Sequence, residues 1–436
     1  MTSFARKIVT LDEAWSAVDE AFDPVGPGAP GDAGKGDSPA ARPGPREADM
    51  LPPVEAVGRV LLAEQRSMLD LPPFDKSAMD GYAICAGDRR REYRLLASVA
   101  AGQTPTEPLV PGSAVKVMTG APVPQGAALV IKREDAEELG PIVRVFDHGG
   151  EPNICRRGED VREGDVILPA GRVLTAADTA NLVSCGIVEV PVAARVRLAI
   201  ISTGDEIVDD PAEIVPGKIM NSNGPMLAAL AARWGMDAVR VLHVPDDLAA
   251  TVAALQESLA AADIVAVSGG VSVGDFDYVL AAMDEAHLAV RFSSVAIKPG
   301  RPTVLATPRP GPGAPGRLRG NRARAVFGLP GNPLSVFVMF HVFVLRAAAR
   351  LQGSRWPLRQ IRMPLSRPIS RRKADRLEFF PAALGDDGRV SPVECHGSAH
   401  LLALAGADGL LQVPAGVREL SVGDGVLFTP LRSLMP

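Results

Sequence analysis

Cysteine, aromatic side chains and long apolar runs are all scarce in this chain. Only 4 of the 436 residues are cysteine, and 4% are aromatic. No cysteine belongs to a CxxC pair or has a histidine at zinc-site spacing, which argues against a disulfide framework or a zinc site. We instead expect small, buried thiols in a reducing compartment. The four are Cys85, Cys155, Cys185 and Cys395.

Signals for export or membrane insertion are missing as well. The first residues contain no apolar signal core, and no apolar run reaches the roughly 18 residues that cross a bilayer. The run around Val336 to Leu345 is about ten residues long and predicts a buried helix. We therefore expect a cytoplasmic protein.

A positive excess is absent too. The formal net charge is -5 at pH 7, so we expect neither nucleic acid nor a membrane surface as a partner. Because 47% of the residues are hydrophobic, the composition is typical of a soluble globular protein, and the length favours roughly two to four domains. An anionic ligand would have to meet local cations or backbone amides.

Two segments of low complexity interrupt the chain. Residues 23–50 and 308–324 are rich in proline and glycine, and both predict flexible insertions. A capping-box pattern from Thr10 to Glu13 predicts that a helix begins there. One face of that helix carries Leu11, Trp15, Val18 and Phe22.

Between residues 196 and 352, short apolar strands alternate with amphipathic helices. The predicted strands are 197–202, 239–244, 264–267 and 325–327, and the predicted helices are 224–234, 247–262 and 333–350. This alternation predicts a parallel sheet with right-handed crossovers. Short alternating runs predict a β-rich module at about 94–150, followed by a helix at 176–185, and a small β-domain after residue 353.

Three of the predicted strands run into glycine-rich turns. Ligands of an open parallel sheet bind at the carboxyl ends of its strands, glycine lets the backbone approach them, and the amides at a helix start favour anions. The pattern predicts a pocket for a phosphate-bearing ligand, with ordinary turn chemistry as the alternative. The candidate substrate-binding residues are Ser202, Thr203, Gly204, Gly269, Gly270, Ser272, Gly274, Pro330, Gly331 and Asn332.

Charged residues lie within and beside these turns. Asp205, Glu206 and Asp277 are candidate Mg²⁺ ligands, because this ion is usually held by one or two carboxylates plus substrate oxygens. A helix N-cap is the alternative for each of them, and is the interpretation that we favour for Asp275. Lys298, in the KPGR motif, is a candidate anion contact or else a solvated lysine.

Six ordered motifs make the sequence specific. They are LPPFDKSAMDGYA from Leu71, MTGAPVPQGA from Met118, ISTGDEI, SGGVSVGDFDY, IKPGRP and GLPGNP. Together they resemble the signatures of the molybdopterin molybdenumtransferase family, to which the C-terminal domain of gephyrin is similar. The resemblance extends from about residue 9 to the end of the chain and is broken by the two low-complexity segments.

The resemblance implies a multi-domain subunit of α/β and β parts. Its parts would be a split N-terminal domain (1–75 and 151–195), a β-rich module (76–150), a central parallel-sheet α/β molybdopterin-binding domain (196–352) and a small C-terminal β-barrel (353–436). It also implies a homodimer whose active cleft lies between the α/β domain of one subunit and the β-rich module of the other.

The reaction so implied inserts molybdate into adenylylated molybdopterin and releases AMP, with Mg²⁺ as cofactor. Contacts with a molybdopterin adenylyltransferase and with molybdenum enzymes are implied too. Two alternatives stay open here. The chain could itself be a molybdopterin adenylyltransferase, because those enzymes have a similar α/β domain, or it could be a non-catalytic scaffold that binds molybdopterin.

Matching the motifs position by position implies further site residues. The catalytic candidates are Asp75, Asp80, Asp178, Asp277 and Lys298, the further substrate-binding candidates are Ser77, Thr119 and Ser398, and the further metal candidate is Asp135, beside Glu134. Asp178 stands where the family usually has a glutamate, so its carboxylate has a shorter reach.

Two positions depart from the family pattern. Asn221 replaces a usual aspartate, and Ser294 replaces a usual lysine or arginine. The two losses have opposite charge, so they either compensate each other or weaken the site. Lys76 replaces a commoner neutral residue and supplies either the missing cation or only a solvated side chain.

Overall fold

The computed structural model describes residues 8–22, 48–271, 278–309, 325–354, 359–395, 397 and 401–431. The predicted site residues Ser272, Gly274, Asp277 and Ser398 lie outside these ranges. The chain forms two compact units. The small unit is Asp49–Val192, and the large unit combines Met1–Ala48 with Ala193–Pro436.

The helices and strands of the described ranges are as follows. The α-helices are α1 (Leu11–Phe22), α2 (Ala176–Ser184), α3 (Asn223–Arg233), α4 (Leu248–Ala261), α5 (Tyr278–Glu285), α6 (Pro333–Met339) and α7 (Leu345–Leu351). The strands up to residue 193 are β1 (Ile8–Val9), β2 (Ala48–Leu51), β3 (Gln65–Arg66), β4 (Lys76–Ser77), β5 (Gly81–Cys85), β6 (Glu92–Val99), β7 (Ser113–Val117), β8 (Ala127–Lys132), β9 (Ala136–Leu139), β10 (Ile142–Val145), β11 (Ile154–Cys155), β12 (Val166–Leu168) and β13 (Val190–Ala193). Those that follow are β14 (Arg197–Thr203), β15 (Ile207–Val208), β16 (Ile219–Met220), β17 (Asp237–Val244), β18 (Ile264–Ser268), β19 (Leu288–Phe292), β20 (Ser294–Val295), β21 (Ile297–Lys298), β22 (Val304–Pro308), β23 (Ala325–Leu329), β24 (Ile361–Pro364), β25 (Ile369–Ser370), β26 (Leu377–Leu384), β27 (Val390–Pro392), β28 (Gly409–Val413), β29 (Glu419–Leu420) and β30 (Gly425–Pro430).

A six-stranded sheet organises the middle of the small unit. Its order is β8-β5-β7-β6-β10-β9, and β6 to β10 occupy the segment that the sequence predicts to be β-rich. Successive side chains point to opposite faces, so Tyr82 and Ile84 fill one core while Ala83 lies in a second core with Val130. Both faces of this sheet are therefore packed.

The described residues at one end of each predicted insertion belong to strands. Ala48–Leu51 form β2, which pairs with β13, so the prediction of a flexible 23–50 is wrong for residues 48–50. Pro308 ends β22 opposite Leu288, so the prediction for 308–324 is wrong at its first residue. Composition alone hides such ends, because a strand end tolerates proline.

The α/β part of the large unit is built on a second six-stranded sheet. Its order is β17-β14-β18-β23-β22-β19. The first four strands are parallel, as predicted, but β22 is antiparallel to both β23 and β19. The prediction of a parallel sheet is therefore wrong at this edge. Residues 293–303, between β19 and β22, contain no helix, and a parallel return would need a crossover.

Helices cover both faces of this sheet. Along β14, Leu198 and Ile200 join one core with α3, α6 and α7, while Ala199 and Ile201 join the other with α4 and α5. All residues of β18 and β23 are buried, as expected for strands covered on both sides. The sheet is rigid for that reason, and its ends can position functional groups.

The last part of the large unit forms a sheet of its own. Its order is β21-β26-β28-β30-β24, and β27 also pairs with β26. Leu365, directly after β24, bridges Val390 of β27, and β27 pairs with β26. The pairings β26-β28-β30-β24-β27 therefore close into a ring. Leu411 and Phe428 are buried inside this ring. Its first strand, β21, comes from the α/β part and pairs in parallel with β26.

The helix α1 begins with the predicted capping box. The Glu13 backbone N–H donates to Thr10 Oγ1 at 3.2 Å, and the Thr10 N–H donates to Glu13 Oε2 at 2.8 Å. Val18 and Phe22 are buried in the first core of the α/β sheet. The predicted apolar face of this helix is thereby confirmed.

A single long helix runs from Pro333 to Leu351. It consists of α6 and α7 joined by a π-helical turn, Phe340–Val344. Its 19 residues and mean hydropathy of 1.7 would suit a membrane span, but 78% of its apolar window is buried inside the protein. The α1 helix packs on it, and Asp19 accepts hydrogen bonds from Arg346 at 2.7 Å and from Arg350 at 3.0 Å.

The four cysteines are free thiols, and only Cys185 is buried. The other three are partly exposed, so the prediction of buried thiols is wrong for them. Cys85 and Cys155 each end a strand, and Cys395 lies in the loop after β27. Packing is incomplete at such positions.

His341 lies inside the π-helical turn and is 2% exposed. Its Nδ1 lies 2.8 Å from the carbonyl of Phe337, and its Nε2 accepts from Trp234 Nε1 at 3.3 Å. Only the neutral ring with its hydrogen on Nδ1 satisfies both contacts. Burial lowers the pKa of His341 from 6.5 to about 4.

This histidine should make the large unit less stable in mild acid. The folded-state pKa lies below the unfolded one, so the contribution is full above about pH 6.5 and is lost as the pH falls towards 4. Between pH 7 and pH 5 we expect wild type to lose about 2 kcal/mol that a His341→Gln variant keeps. Urea unfolding followed by tryptophan fluorescence measures this, since the sequence has no tryptophan between residues 49 and 192, the range of the small unit. Equal pH dependence in both proteins would show that His341 ionises normally.

Candidate functional site

Three predicted turns begin at the same row of the α/β sheet. Ser202 of β14 pairs with Ser268 of β18, and Ser268 pairs with Leu329 of β23. Because these strands are parallel, the residues that follow leave the sheet side by side at its carboxyl edge. The candidate residues from Ser202 to Gly204, Gly269, Gly270, Pro330 and Gly331 are thus brought together.

Close contact between two of the turns requires glycine. A Cβ on Gly269, whose φ is +99°, would lie 2.5 Å from the carbonyl oxygen of Thr203. A Cβ on Gly331 would still be 3.9 Å from the Cα of Gly269, so the third turn is also adjacent. A side chain at Gly269 would push the ends of β14 and β18 apart, so the backbone itself forms the floor of the site there.

Two buried polar atoms at this edge have no hydrogen-bond partner among the described residues. They are Thr203 Oγ1 and Asn223 Oδ1. Asn223 is 8% exposed, and its Nδ2 donates to Ser268 Oγ at 2.8 Å and to the carbonyl of Gly331 at 2.7 Å. An unsatisfied buried oxygen is costly, so a ligand group here would relieve a cost. Asn223 is not one of the site residues that the sequence predicts, and the one sequence signal for it is its position just before the predicted helix 224–234.

Asn221, one of the two departures, is fully engaged. Its Nδ2 donates to Asp209 Oδ1 at 2.9 Å, and its Oδ1 accepts from Ser202 Oγ at 3.1 Å and from the Gly224 N–H at 3.0 Å. An aspartate would lose the donor and face the Asp209 carboxylate. The amide therefore fits this neighbourhood and connects the β14 turn to α3.

Two carboxylates follow the first turn. The Asp246 backbone N–H donates to Asp205 Oδ1 at 3.0 Å. The Glu206 carboxylate packs against Gly204, because a Cβ on that glycine would lie only 2.5 Å from Glu206 Oε2. Both side chains are exposed. Within the described residues, no group of three or more histidine, cysteine or acidic residues is arranged to hold a metal ion by itself.

A cavity of about 650 Å³ opens where the α/β part meets the C-terminal sheet. The KPGRP turn, with Lys298 and Arg301, and the LPGNP turn, with Pro330 and Asn332, line it together. From farther along the chain come Ser335, Arg367 and Arg376, none of which the sequence analysis identified. Lys298, Pro330 and Asn332 are thereby placed in one cavity, with further cations beside them.

Lys298 is neither free nor merely solvated. Its Nζ lies 2.6 Å from Glu378 Oε1, and Glu378 Oε2 lies 3.5 Å from Arg371 Nη1. The Glu378 side chain is 8% exposed, against 60% for Lys298. The Glu378 carboxylate thus fixes the ammonium group of Lys298 at the wall of the cavity.

Ser294, the other departure, is completely buried, and its hydroxyl donates to the carbonyl of Arg301 at 3.2 Å. A lysine at this position would have to place its charge in the core or displace its neighbours. Serine instead supports the turn that carries Arg301.

Three predicted residues of the small unit, Asp75, Asp80 and Thr119, lie in its connecting loops. Asp80 accepts from the backbone N–H and from the hydroxyl of Thr119, each at 2.8 Å, and these bonds hold the pKa of Asp80 below its usual value. The Arg157 N–H and the Arg156 guanidinium do the same for Asp75, at 2.8 and 2.6 Å. Both carboxylates are therefore ionised and fixed.

Two other predicted residues of this unit have local partners. Ser77 is buried, and its hydroxyl donates to the carbonyl of Met79 at 2.5 Å. Asp135 ends a short 3-10 helix, Arg133–Asp135, and its carbonyl accepts from the Phe146 N–H at 2.8 Å. Each contact shapes a loop.

Comparison with known proteins covers nearly the whole chain. Residues 9–186 match the MoeA N-terminal region (domain I and II), residues 199–350 a probable molybdopterin binding domain, and residues 362–431 the MoeA C-terminal region (domain IV). The molybdopterin molybdenumtransferase of Staphylococcus epidermidis is 31% identical over 383 residues, which are 85% of this chain and 88% of that protein. A Staphylococcus aureus enzyme of the same name is 32% identical over 385 residues, with the same coverage.

The chain belongs to the molybdopterin molybdenumtransferase family. A solved structure agrees with this: the molybdopterin biosynthesis MoeA protein of Pyrococcus horikoshii OT3 is 28% identical and has a TM-score of 0.79, covering 97% of this chain and 100% of that one. The resemblance read from the six motifs is confirmed.

Within this molybdenumtransferase fold, Asp178 stabilises the start of helix α2. It is 1% exposed and closes a capping box with Thr175 at the start of α2. Its Oδ2 also accepts from Arg172 Nε at 3.0 Å. Burial alone would raise the pKa of Asp178, but the bonds from Arg172 and Thr175 outweigh it and lower the pKa. The catalytic prediction for Asp178 rests on resemblance alone, and these contacts already account for its carboxylate.

Substitution of Asp178 should therefore affect α2 rather than turnover. Asp178→Ala removes the capping box, and we expect the opening free energy of α2 to fall by about 1–2 kcal/mol. Hydrogen exchange of the α2 amides measures that change. Asp178→Asn keeps the volume and serves as the control for chemistry. A folded Asp178→Asn protein that turns over about 100-fold more slowly would instead restore the catalytic assignment.

Proposed function

We propose that this protein inserts molybdenum into molybdopterin, taking molybdate and adenylylated molybdopterin and releasing AMP. Its relatives bear the name molybdopterin molybdenumtransferase. The observation that carries the proposal is the 650 Å³ cavity in which the KPGRP and LPGNP turns meet basic residues of the C-terminal sheet. A net-negative chain that binds anions needs such a local concentration of cations.

The two substrates divide between neighbouring surfaces in this proposal. The glycine-rich turns at the sheet edge take the adenylylated molybdopterin, since backbone amides and the unsatisfied oxygens of Thr203 and Asn223 suit its polar groups. Molybdate, a tetrahedral dianion, takes the cavity beside Lys298 and Arg376. Pro330 and Asn332 belong to both surfaces, because the LPGNP turn both ends β23 and lines the cavity.

The chemistry asked of these residues is positioning and charge neutralisation. Cleaving the phosphoanhydride builds negative charge on the leaving phosphate, and fixed cations stabilise such charge without reorganising. Lys298 is fixed by its bond to Glu378, so its ammonium group retains two hydrogens for oxyanions. Arg376 adds a second donor group at the same wall.

We propose Mg²⁺ dependence as well, with Asp205, Glu206, Asp277 and Asp135 as candidate ligands. Asp205 and Glu206 fit the ion, because both are exposed carboxylates beside the phosphate-binding turns. Since Mg²⁺ commonly takes one or two carboxylates and completes its shell with phosphate oxygens and water, a protein-only cluster is not required. Bound there, the ion would neutralise phosphate charge. Asp277, like Ser272, Gly274 and Ser398, lies outside the described residues and stays a prediction.

Assembly as a homodimer is a further part of the proposal. Met68, Val183 and Val188 of the small unit expose 65%, 60% and 77% of their surfaces. The Met68 N–H donates to the carbonyl of Cys185, so the segments that carry these exposed apolar side chains are adjacent, and we propose that a second copy covers them. Asp75, Asp80, Ser77 and Thr119 remain proposed contributors to the reaction by resemblance. Adenylyltransferase and molybdenum-enzyme partners, and a cytoplasmic location, also remain proposals.

The reaction can be tested by AMP release from adenylylated molybdopterin. We expect release that depends on both molybdate and Mg²⁺. Lys298→Met should lower kcat/KM for molybdate about 100-fold, the usual effect of removing one oxyanion donor. Consumption of ATP and formation of adenylylated molybdopterin, without any need for molybdate, would instead indicate an adenylyltransferase. Binding of adenylylated molybdopterin without AMP release would indicate a scaffold.

Lys116→Met is the matched control for the lysine variant. Lys116 also forms an ion pair at 2.6 Å, with Glu138, and it lies in the small unit outside the predicted site. We expect its turnover to equal that of wild type. If Lys298→Met and Lys116→Met behave alike, Lys298 has no part in the reaction.

A further inference from the structure

A second cavity, of about 450 Å³, adjoins the first and shares Lys298, Arg376 and Glu378 with it. The loop between β25 and β26 supplies the remaining charged residues of its lining. In all, Lys298, Arg371, Arg372, Lys373 and Arg376 bring five positive charges, and Asp375 and Glu378 bring two negative ones. The lining is thus strongly positive in a chain whose formal net charge is -5.

One residue of this loop is a structural clamp. The Arg371 side chain is 3% exposed. Its guanidinium donates to the carbonyl of Arg376 at 3.1 Å, of Pro414 at 2.6 Å and, through Nε, of Val417 at 2.8 Å. A further backbone bond, from the Gly416 N–H to the carbonyl of Ala374 at 2.7 Å, holds the loop from the other side. The loop backbone is therefore fixed.

The charges of the lining are not all balanced. Glu378 is shared by Lys298 and Arg371, and Arg376 Nε lies 3.2 Å from Asp375 Oδ2. These contacts use both acids of the cavity. Arg372 and Lys373 are exposed, and neither forms an ion pair with any residue that the structure describes. Two cations on a clamped loop thus face a cavity with no acid left to pair with them.

We propose that this second cavity is a capture site for a free tetrahedral oxyanion, which it passes to the first cavity along the shared side chains of Lys298 and Arg376. The inference rests on the proposed function, which makes molybdate the oxyanion. A cleft lined by one sign of charge concentrates the opposite ion and speeds its arrival. Arg372 and Lys373 attract the oxyanion in this proposal. The hydrogen bonds of Arg371 hold the loop backbone in place, so these two exposed side chains stay at the mouth of the cavity.

Binding of molybdate to the full chain tests this directly. We expect the double variant Arg372→Gln/Lys373→Gln to raise the Kd for molybdate, measured by titration calorimetry, about tenfold at low ionic strength. The difference should shrink to about twofold at 0.3 M salt, because screening weakens exposed charges. The KM for molybdate in the AMP-release assay should rise in parallel. An unchanged Kd at low salt would overturn the inference.

A second double variant controls for net charge. Arg362→Gln/Arg389→Gln also removes two positive charges, from an exposed position in β24 and an exposed position just before β27, and neither residue lines either cavity. We expect its Kd for molybdate to stay within about twofold of wild type. An equal rise in both double variants would reduce the effect to bulk charge and would overturn the capture site.

The source of the oxyanion can be separated with the same proteins. If Arg372→Gln/Lys373→Gln raised only the KM for adenylylated molybdopterin, the cavity would hold a substrate phosphate, and capture of molybdate would be wrong. The calorimetric arm needs no turnover. A wild-type protein that binds molybdate tightly, and loses this binding in the variant, would therefore support the capture site even if AMP release failed and the proposed function with it.

Discussion

A buried carboxylate shared by two cations holds the site together. Glu378 lies between Lys298, which comes from the α/β part, and Arg371, which belongs to the loop between β25 and β26. Because the Glu378 side chain is 8% exposed, its negative charge has to be paired. The buried guanidinium of Arg371 and the exposed ammonium group of Lys298 both pair with it. The pairing of β21 with β26 runs through the same two residues, since Lys298 is opposite Glu378. Backbone and side chains thus specify the same junction, and both cavities open beside it.

The glycine-rich edge obeys a different constraint, which is the alignment of three parallel strands. Ser202, Ser268 and Leu329 lie in one row, so the turns after them meet at one place without a dedicated scaffold. Helices on both faces make that row rigid. Hydrogen bonds to nearby atoms of the edge then fix the polar residues beside this row, as Ser268 and Gly331 do for Asn223. The edge is therefore preformed, and two of its buried oxygens, Thr203 Oγ1 and Asn223 Oδ1, have no hydrogen-bond partner among the described residues.

Local patterns predicted the elements well and the assembled site only partly. Capping at Thr10, the helix 333–350 and the four parallel strands follow from periodicity and end signals that neighbours in sequence supply. The antiparallel edge, the wall residues Arg376 and Glu378, and the partner of Lys298 depend on contacts between distant segments, which carry no local signal. The domain boundaries and the individual site roles remain predictions, because family membership does not test them residue by residue.

The place of α1 has a consequence for how the chain matures on the ribosome. This helix is made well before its partner, because Trp15 donates to the carbonyl of Val342, 327 positions later. At about 5–20 residues per second, its apolar face waits roughly 15 to 65 seconds for that surface. During that interval Val18 and Phe22 are open to wrong partners. A nascent chain of this protein should therefore need chaperones that shield this apolar helix face until the later helix has been made.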